Sequence, residues 1–184
     1  MFIQTEQTPN PNTLKFIPGR TVLGDKTAEF TDAQAAAASP LAARLFEIEG
    51  VAGVFLGSDF ITVTKDEGRD WLAMKPLILG TIMEHFTSGA PVLAEAVDEV
   101  LGMEDDPADE DIIVQIRDLL DTRVRPAVAR DGGDIIYHGF RQGVVYLRMQ
   151  GSCSGCPSST ATLKHGIENL LRHYIPEVTE VRAV

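Results

Sequence analysis

Hydrophobic and polar positions recur along this chain with two periods, and each period predicts elements where it holds. Prolines in TPNPNTLKFIPG bracket a short strand around Leu14–Ile17, and a second strand is expected around Thr27–Thr31. Ser39 before Pro40 marks a helix start, with the hydroxyl capping and the proline at the first helical position. Leu41, Leu45 and Phe46 then share one helical face. The β-rich runs Val51–Leu56 and Phe60–Lys65 flank Gly57-Ser58-Asp59, a hairpin signature in which glycine supplies an unusual backbone angle. Apolar residues at 71, 74, 78, 82 and 86 predict an amphipathic helix from Trp71 to Phe86. Pro76 is expected in or near its first turn, and Trp71 in the core.

In the second half, Ile112, Ile113, Ile116, Leu119, Leu120 and Val124 mark one face of a helix expected to stop near Pro126. Asp131-Gly132-Gly133-Asp134 reads as a turn, and no Lys-Ser/Thr follows its glycines as a phosphate loop requires. Ile135–Phe140 and Val144–Met149 form a hairpin around Arg141-Gln142-Gly143. The loop GSCSGCPSST leads into a second helix with Leu163, Ile167, Leu170 and Leu171 inward. Pro176 closes that helix, and Val178–Val181 adds a last strand.

Between the halves lies AEAVDEVLGMEDDPADED, acidic and interrupted by Gly102 and Pro107. Like charges repel and proline blocks helix continuation, so this stretch reads as an exposed linker. The expected organisation is α+β in two small domains, residues 1–93 and 111–184, joined by an acidic linker at 94–110. The first domain runs strands, helix, hairpin, helix; the second runs α-β-β-α-β, with the cysteine loop before its last helix.

The net charge of −11 counts against nucleic acid, which is bound through clustered Lys and Arg. The C-terminal part is nearly neutral, so charge alone does not exclude a polyanionic ligand there. No apolar run is long enough for a membrane span. The first residues carry neither the basic start and apolar stretch of a secretory signal nor an Arg-rich transit pattern. The expected compartment is the cytoplasm, a bacterial cytosol first, with a mature mitochondrial matrix protein as the alternative.

The two cysteines of the chain, Cys153 and Cys156, lie three positions apart between a strand end and a helix start. A disulfide so short encloses a strained loop of little stabilising use, so in a reducing compartment the spacing points to metal or redox chemistry. Pro157 suits the first helical position and makes Cys156 the cap, where free N–H groups and the helix dipole favour thiolate. Gly151, Ser152, Ser154 and Gly155 leave the backbone able to bend and the thiols accessible. Four readings compete. One is a buried, inert pair, which the polar and glycine flanks disfavour. A thiol–disulfide oxidoreductase is the second, but its motif follows a parallel βαβ unit rather than a hairpin, and Ser152 replaces the usual aromatic residue. The third is zinc, as in a zinc-bridged dimeric interaction module; His165 and His173 miss finger spacing and read as surface residues of the last helix. The fourth is an iron–sulfur cluster. Such clusters usually take four thiolates, which two chains related by a two-fold axis could supply. Arg148, Lys164 and Arg172 could offset cluster charge, although solvation explains them equally well.

RPAVARDGGDI, the hairpin and GSCSGCPSSTATLKHGIE resemble the NifU C-terminal domain. QTPNPNTLKFIPG and LFEIEGVAGVFLGSDFITVTK resemble the N-terminal domain of Nfu proteins, so the likeness spans nearly the whole chain. The resemblance implies a non-enzymatic carrier or scaffold that receives a cluster, generally [4Fe–4S], from upstream assembly proteins and passes it to apo iron–sulfur proteins. It implies Cys153 and Cys156 as ligands, in a homodimer when the cluster is bound. The sulfur-supplying and desulfurase-binding domains of full NifU have no counterpart, so carriage is expected over de novo assembly.

Overall fold

The computed structural model describes residues 2–24, 26–94, 104–153 and 157–184; of Pro157, Ser158 and Ser159 it describes the backbone alone. The chain divides into two compact units, Met1–Asp98 and Glu99–Val184. Each has its own buried apolar core. The architecture is mixed α+β, as the periodicities lead one to expect.

The N-terminal unit is a five-stranded antiparallel sheet in the order β1-β2-β5-β4-β3. Its strands are β1 (Gln4–Gln7), β2 (Thr13–Ile17), β3 (Ala28–Phe30), β4 (Val51–Leu56) and β5 (Ile61–Lys65). Two helices, α1 (Pro40–Phe46) and α2 (Trp71–Ser88), contribute to its core through Leu41, Leu45, Met74, Ile78 and Ile82. Both are capped, α1 by the expected Ser39, which accepts from the Ala42 N–H, and α2 by Asp70, which accepts from the Leu72 N–H. Each such cap stabilises a helix by about 1 kcal/mol.

Four details of this unit differ from the sequence reading. Strand β1 (QTEQ) carries no apolar alternation; it exists because β2 offers it a paired edge. Gly57 has no positive φ; its requirement is close approach, since a Cβ there would stand 2.5 Å from the Phe60 ring. Pro76 is the sixth residue of α2, inside the helix rather than in its first turn. It is tolerated because it lies on the exposed face, where water can reach the carbonyl it leaves without a donor. Trp71 is half-buried, packing at the edge of the core with its indole N–H donating to the Pro11 carbonyl at 3.2 Å.

The C-terminal unit orders its sheet β6-β7-β8, where β6 (Gly133–Arg141) pairs antiparallel with β7 (Val144–Gly151) and β8 (Glu180–Ala183) lies parallel to β7. The β6–β7 turn has positive φ at both Gln142 (51°) and Gly143 (81°), the backbone of a two-residue hairpin loop. The last strand sits two residues later than the apolar run suggested.

The first helix of this unit does not stop near Pro126. Helix α3 (Glu110–Leu119) passes through a π-helical segment at Leu120–Val124 into α4 (Arg125–Arg130). The Arg125 N–H donates five residues back, to the Leu120 carbonyl. Pro126 thus falls where the hydrogen-bond ladder has already slipped, and its missing N–H and ring are accommodated. The last helix, α5 (Pro157–Tyr174), begins at Pro157 as expected.

Of the acidic stretch, residues 95–103 lie outside the described residues. The part that follows is docked: one carboxylate oxygen of Asp105 accepts from the Tyr137 hydroxyl (2.8 Å) and from the Phe140 N–H (3.0 Å). Both donors flank a bulge in β6, between Tyr137 and Gly139. Burial, and then the Asp105 carboxylate, push the Tyr137 phenol well above its usual range.

Candidate functional site

The cysteine loop begins where β7 ends. Gly133 opens β6 directly opposite Gly151, which closes β7, so the 131–134 turn and the cysteine loop share one end of the sheet. The Ser152 N–H donates to the Gly132 carbonyl (3.2 Å), and the Ser152 hydroxyl donates to the Asp131 carbonyl. On the other side, the Thr160 hydroxyl in the first turns of α5 donates to the Cys153 carbonyl at 2.8 Å.

Cys153 is 6% exposed and belongs to the apolar core of the unit. The expectation of an accessible thiol is therefore not met at Cys153. The reason lies across the sheet end: a Cβ on Gly133 would stand 2.5 Å from Cys153 Sγ and 2.9 Å from the Gln150 carbonyl oxygen. The absent side chain leaves a notch that the sulfur occupies. Cys156, Ser154 and Gly155 lie outside the described residues, and with them the expected capping role of Cys156.

Behind the notch is a polar clamp. Arg125 grips Asp134 with two parallel hydrogen bonds, Nε to Oδ1 and Nη2 to Oδ2, both 2.9 Å. The same Oδ1 accepts the Ile135 N–H at 2.8 Å, and Arg125 also reaches Asp121 at 3.2 Å. Asp134 is 4% exposed, so the bidentate partner is what makes its burial tolerable. The hydrogen bonds that Arg125 donates to Asp134 outweigh burial and hold the guanidinium firmly protonated. This clamp fixes the start of β6, and so the backbone on which the sulfur rests. Sequence reading missed it, because Arg125 and Asp134 meet only once the helix and the turn pack together.

Of the other singled-out residues, His165 and His173 are exposed on α5. Arg172 is also exposed and pairs with Glu168 at 3.8 Å, while Arg148 and Lys164 are half-buried. Among the described residues no helix is long and apolar enough to cross a membrane.

A family model described as "Scaffold protein Nfu/NifU N terminal" matches residues 3–89, and one described as "NifU-like domain" matches residues 116–182. The human protein named NFU1 iron-sulfur cluster scaffold homolog, mitochondrial, is 54% identical over 185 residues, covering 100% of this chain and 72% of the human one. The chain belongs to the Nfu/NifU family. A Drosophila erecta member with the same name is 52% identical, covering 100% of this chain and 65% of that one. A solved NifU-like protein from Saccharomyces cerevisiae is 30% identical with a TM-score of 0.47, covering 52% of this chain and 86% of that one. The NifU-like match encloses the clamp, the notch and the cysteine loop of this Nfu/NifU chain.

Proposed function

We propose that this chain is an iron–sulfur cluster carrier in which Cys153 and Cys156 of two copies hold one [4Fe–4S] cluster and hand it to apo-proteins. The observation that carries the reading is the C-x-x-C loop, which contains the only two cysteines of the chain and lies within the NifU-like match. Relatives of high identity are named as cluster scaffolds, which supports the scaffold or carrier role. Two thiolates per chain against four ligand positions favour sharing across a two-fold axis.

The cluster is cargo, and the chemistry asked of the protein is ligand exchange. Each ligating thiol gives up its proton when it binds iron. A client thiolate then displaces Cys153 or Cys156 one sulfur at a time, and the released thiolate takes up a proton. Access and thiolate supply govern such exchange, as they do in disulfide exchange. The role is carriage rather than catalysis. Upstream assembly proteins are the expected donors and apo iron–sulfur proteins the expected acceptors. The relatives' names, which end in "mitochondrial", support a mitochondrial location.

Anaerobic reconstitution followed by iron, sulfide and mass analysis tests this. One cluster should form per two chains, together with dimerisation, and Cys153→Ala or Cys156→Ala should each abolish it. A stable cluster on a monomer without added thiol would overturn the shared site. Zinc without iron would point instead to a structural bridge. A cluster that no apo-acceptor can remove would end the carrier assignment.

A further inference from the structure

Sharing a cluster requires each ligand sulfur to reach the surface, yet Cys153 is 6% exposed and its sulfur rests where Gly133 has no side chain. Cys153 is held in this position through its neighbour Ser152 on one side and its own carbonyl on the other. The preceding residue, Ser152, is 2% exposed and is tied to the 131–132 turn by its hydroxyl and its N–H. The Cys153 carbonyl is tied to α5 by the Thr160 hydroxyl. None of these bonds belongs to the β6–β7 ladder or to the hydrogen bonding within α5. They can open without unravelling the unit, as local openings in folded proteins do.

We propose that Ser152 and Thr160 form a latch: their hydroxyls hold the Cys153 thiol stowed in the Gly133 notch, and cluster acceptance requires the latch to open. The second half of this statement rests on the reading of Cys153 as a cluster ligand, while the first half does not. A stowed thiol is shielded from oxidation and from chance metals when no cluster is offered. A cluster that binds only the presented form draws the population toward it, and its apparent affinity falls by the fraction of chains that are open. Ser152 and Thr160 are then positioning residues that set how readily the cargo is accepted.

Maleimide labelling of the metal-free, full-length chain under anaerobic conditions, read at Cys153 by peptide mass spectrometry, tests the latch. The wild-type chain should label on the order of a hundred-fold more slowly than the same chain unfolded in urea. Thr160→Val and Ser152→Ala should each speed labelling about five-fold, the effect of one lost hydrogen bond on an opening equilibrium. Thr160→Ser, which keeps the hydroxyl, should stay at the wild-type rate. Wild-type labelling as fast as in urea would overturn the proposal whether or not any variant folds. So would unchanged labelling in folded Thr160→Val and Ser152→Ala chains. Iron uptake during reconstitution should accelerate in the same two variants. Faster labelling with unchanged uptake would overturn the required opening, whereas faster labelling with no iron bound by any form, wild type included, would overturn the cluster assignment and leave the stowed thiol standing.

Discussion

At Gly133 a single added methyl would stand 2.5 Å from Cys153 Sγ and 2.9 Å from the Gln150 carbonyl, closer than carbon can approach either. Gly133→Ala should therefore expel the sulfur from its notch or shift the start of β6, at an overpacking cost of about 1–3 kcal/mol. A thermal melt should show the loss. A melt equal to wild type would mean that the notch does not constrain the loop. Arg125 is the second residue on which the site's geometry turns. Arg125→Ala strands the carboxylate of Asp134 in a buried position and should destabilise the C-terminal unit by about 3 kcal/mol in urea titration. Arg125→Lys keeps the charge but loses the two-pronged grip, so it should recover only part of that stability. Neither effect can be inferred from residue type alone. The C-x-x-C spacing was legible in the sequence because it is local, whereas the clamp spans the helix and the turn.

At the scale of elements, α2 carries a buried histidine. His85 is fully buried, and among the described residues neither ring nitrogen has a hydrogen-bond partner. Burial and then the Arg44 guanidinium on α1 hold its pKa below the ordinary 6.5; nearby backbone groups of Ala90 and Pro91 oppose this but do not reach hydrogen-bond geometry. Between the depressed folded value and 6.5 the unfolded chain binds the proton and the folded chain does not, so stability falls as pH drops through that window. Melts of the wild-type chain should lose stability below about pH 6.5. His85→Leu should flatten this dependence at little cost near neutrality, because it removes two unsatisfied polar atoms. An unchanged pH profile in His85→Leu would assign the effect elsewhere. The Tyr137–Asp105 contact predicts the opposite sign at the alkaline end. Tyr137 is held above its ordinary 10.0, so the unfolded chain loses that proton first and stability declines as pH rises past 10.0. Phenolate absorbance should show Tyr137 titrating above its ordinary 10.0, and Asp105→Ala should lower it part of the way back, since burial remains.

At the scale of the molecule, the chain is two units with separate cores, Met1–Asp98 and Glu99–Val184. Each should fold as an isolated fragment, the first without metal. A C-terminal fragment begun at residue 99 keeps Asp105 against β6, while one begun at 108 loses it. The shorter fragment should be about 3 kcal/mol less stable, from two hydrogen bonds to a charged acceptor at the low end of their usual worth. Equal stability of the two fragments would show that Asp105 contributes nothing beyond its place in the acidic stretch.

What the sequence by itself determined were the features that depend on near neighbours: the Ser39-capped α1, the amphipathic α2, the two hairpins, the Pro157 start of α5, and the pair of cysteines beside it. Periodicity, capping residues and turn residues act within a few positions, so they can be read along the chain. Tertiary structure alone decided that QTEQ is a strand, that a helix runs past Pro126, that Asp105 is docked, and that Cys153 is buried. Each of these outcomes needs a partner distant in sequence or a shift in the hydrogen-bond ladder: the edge of β2, the slipped turn at Leu120–Val124, the bulge in β6, and the missing side chain of Gly133. No local preference encodes such a partner, because its effect exists only when packing brings the two together.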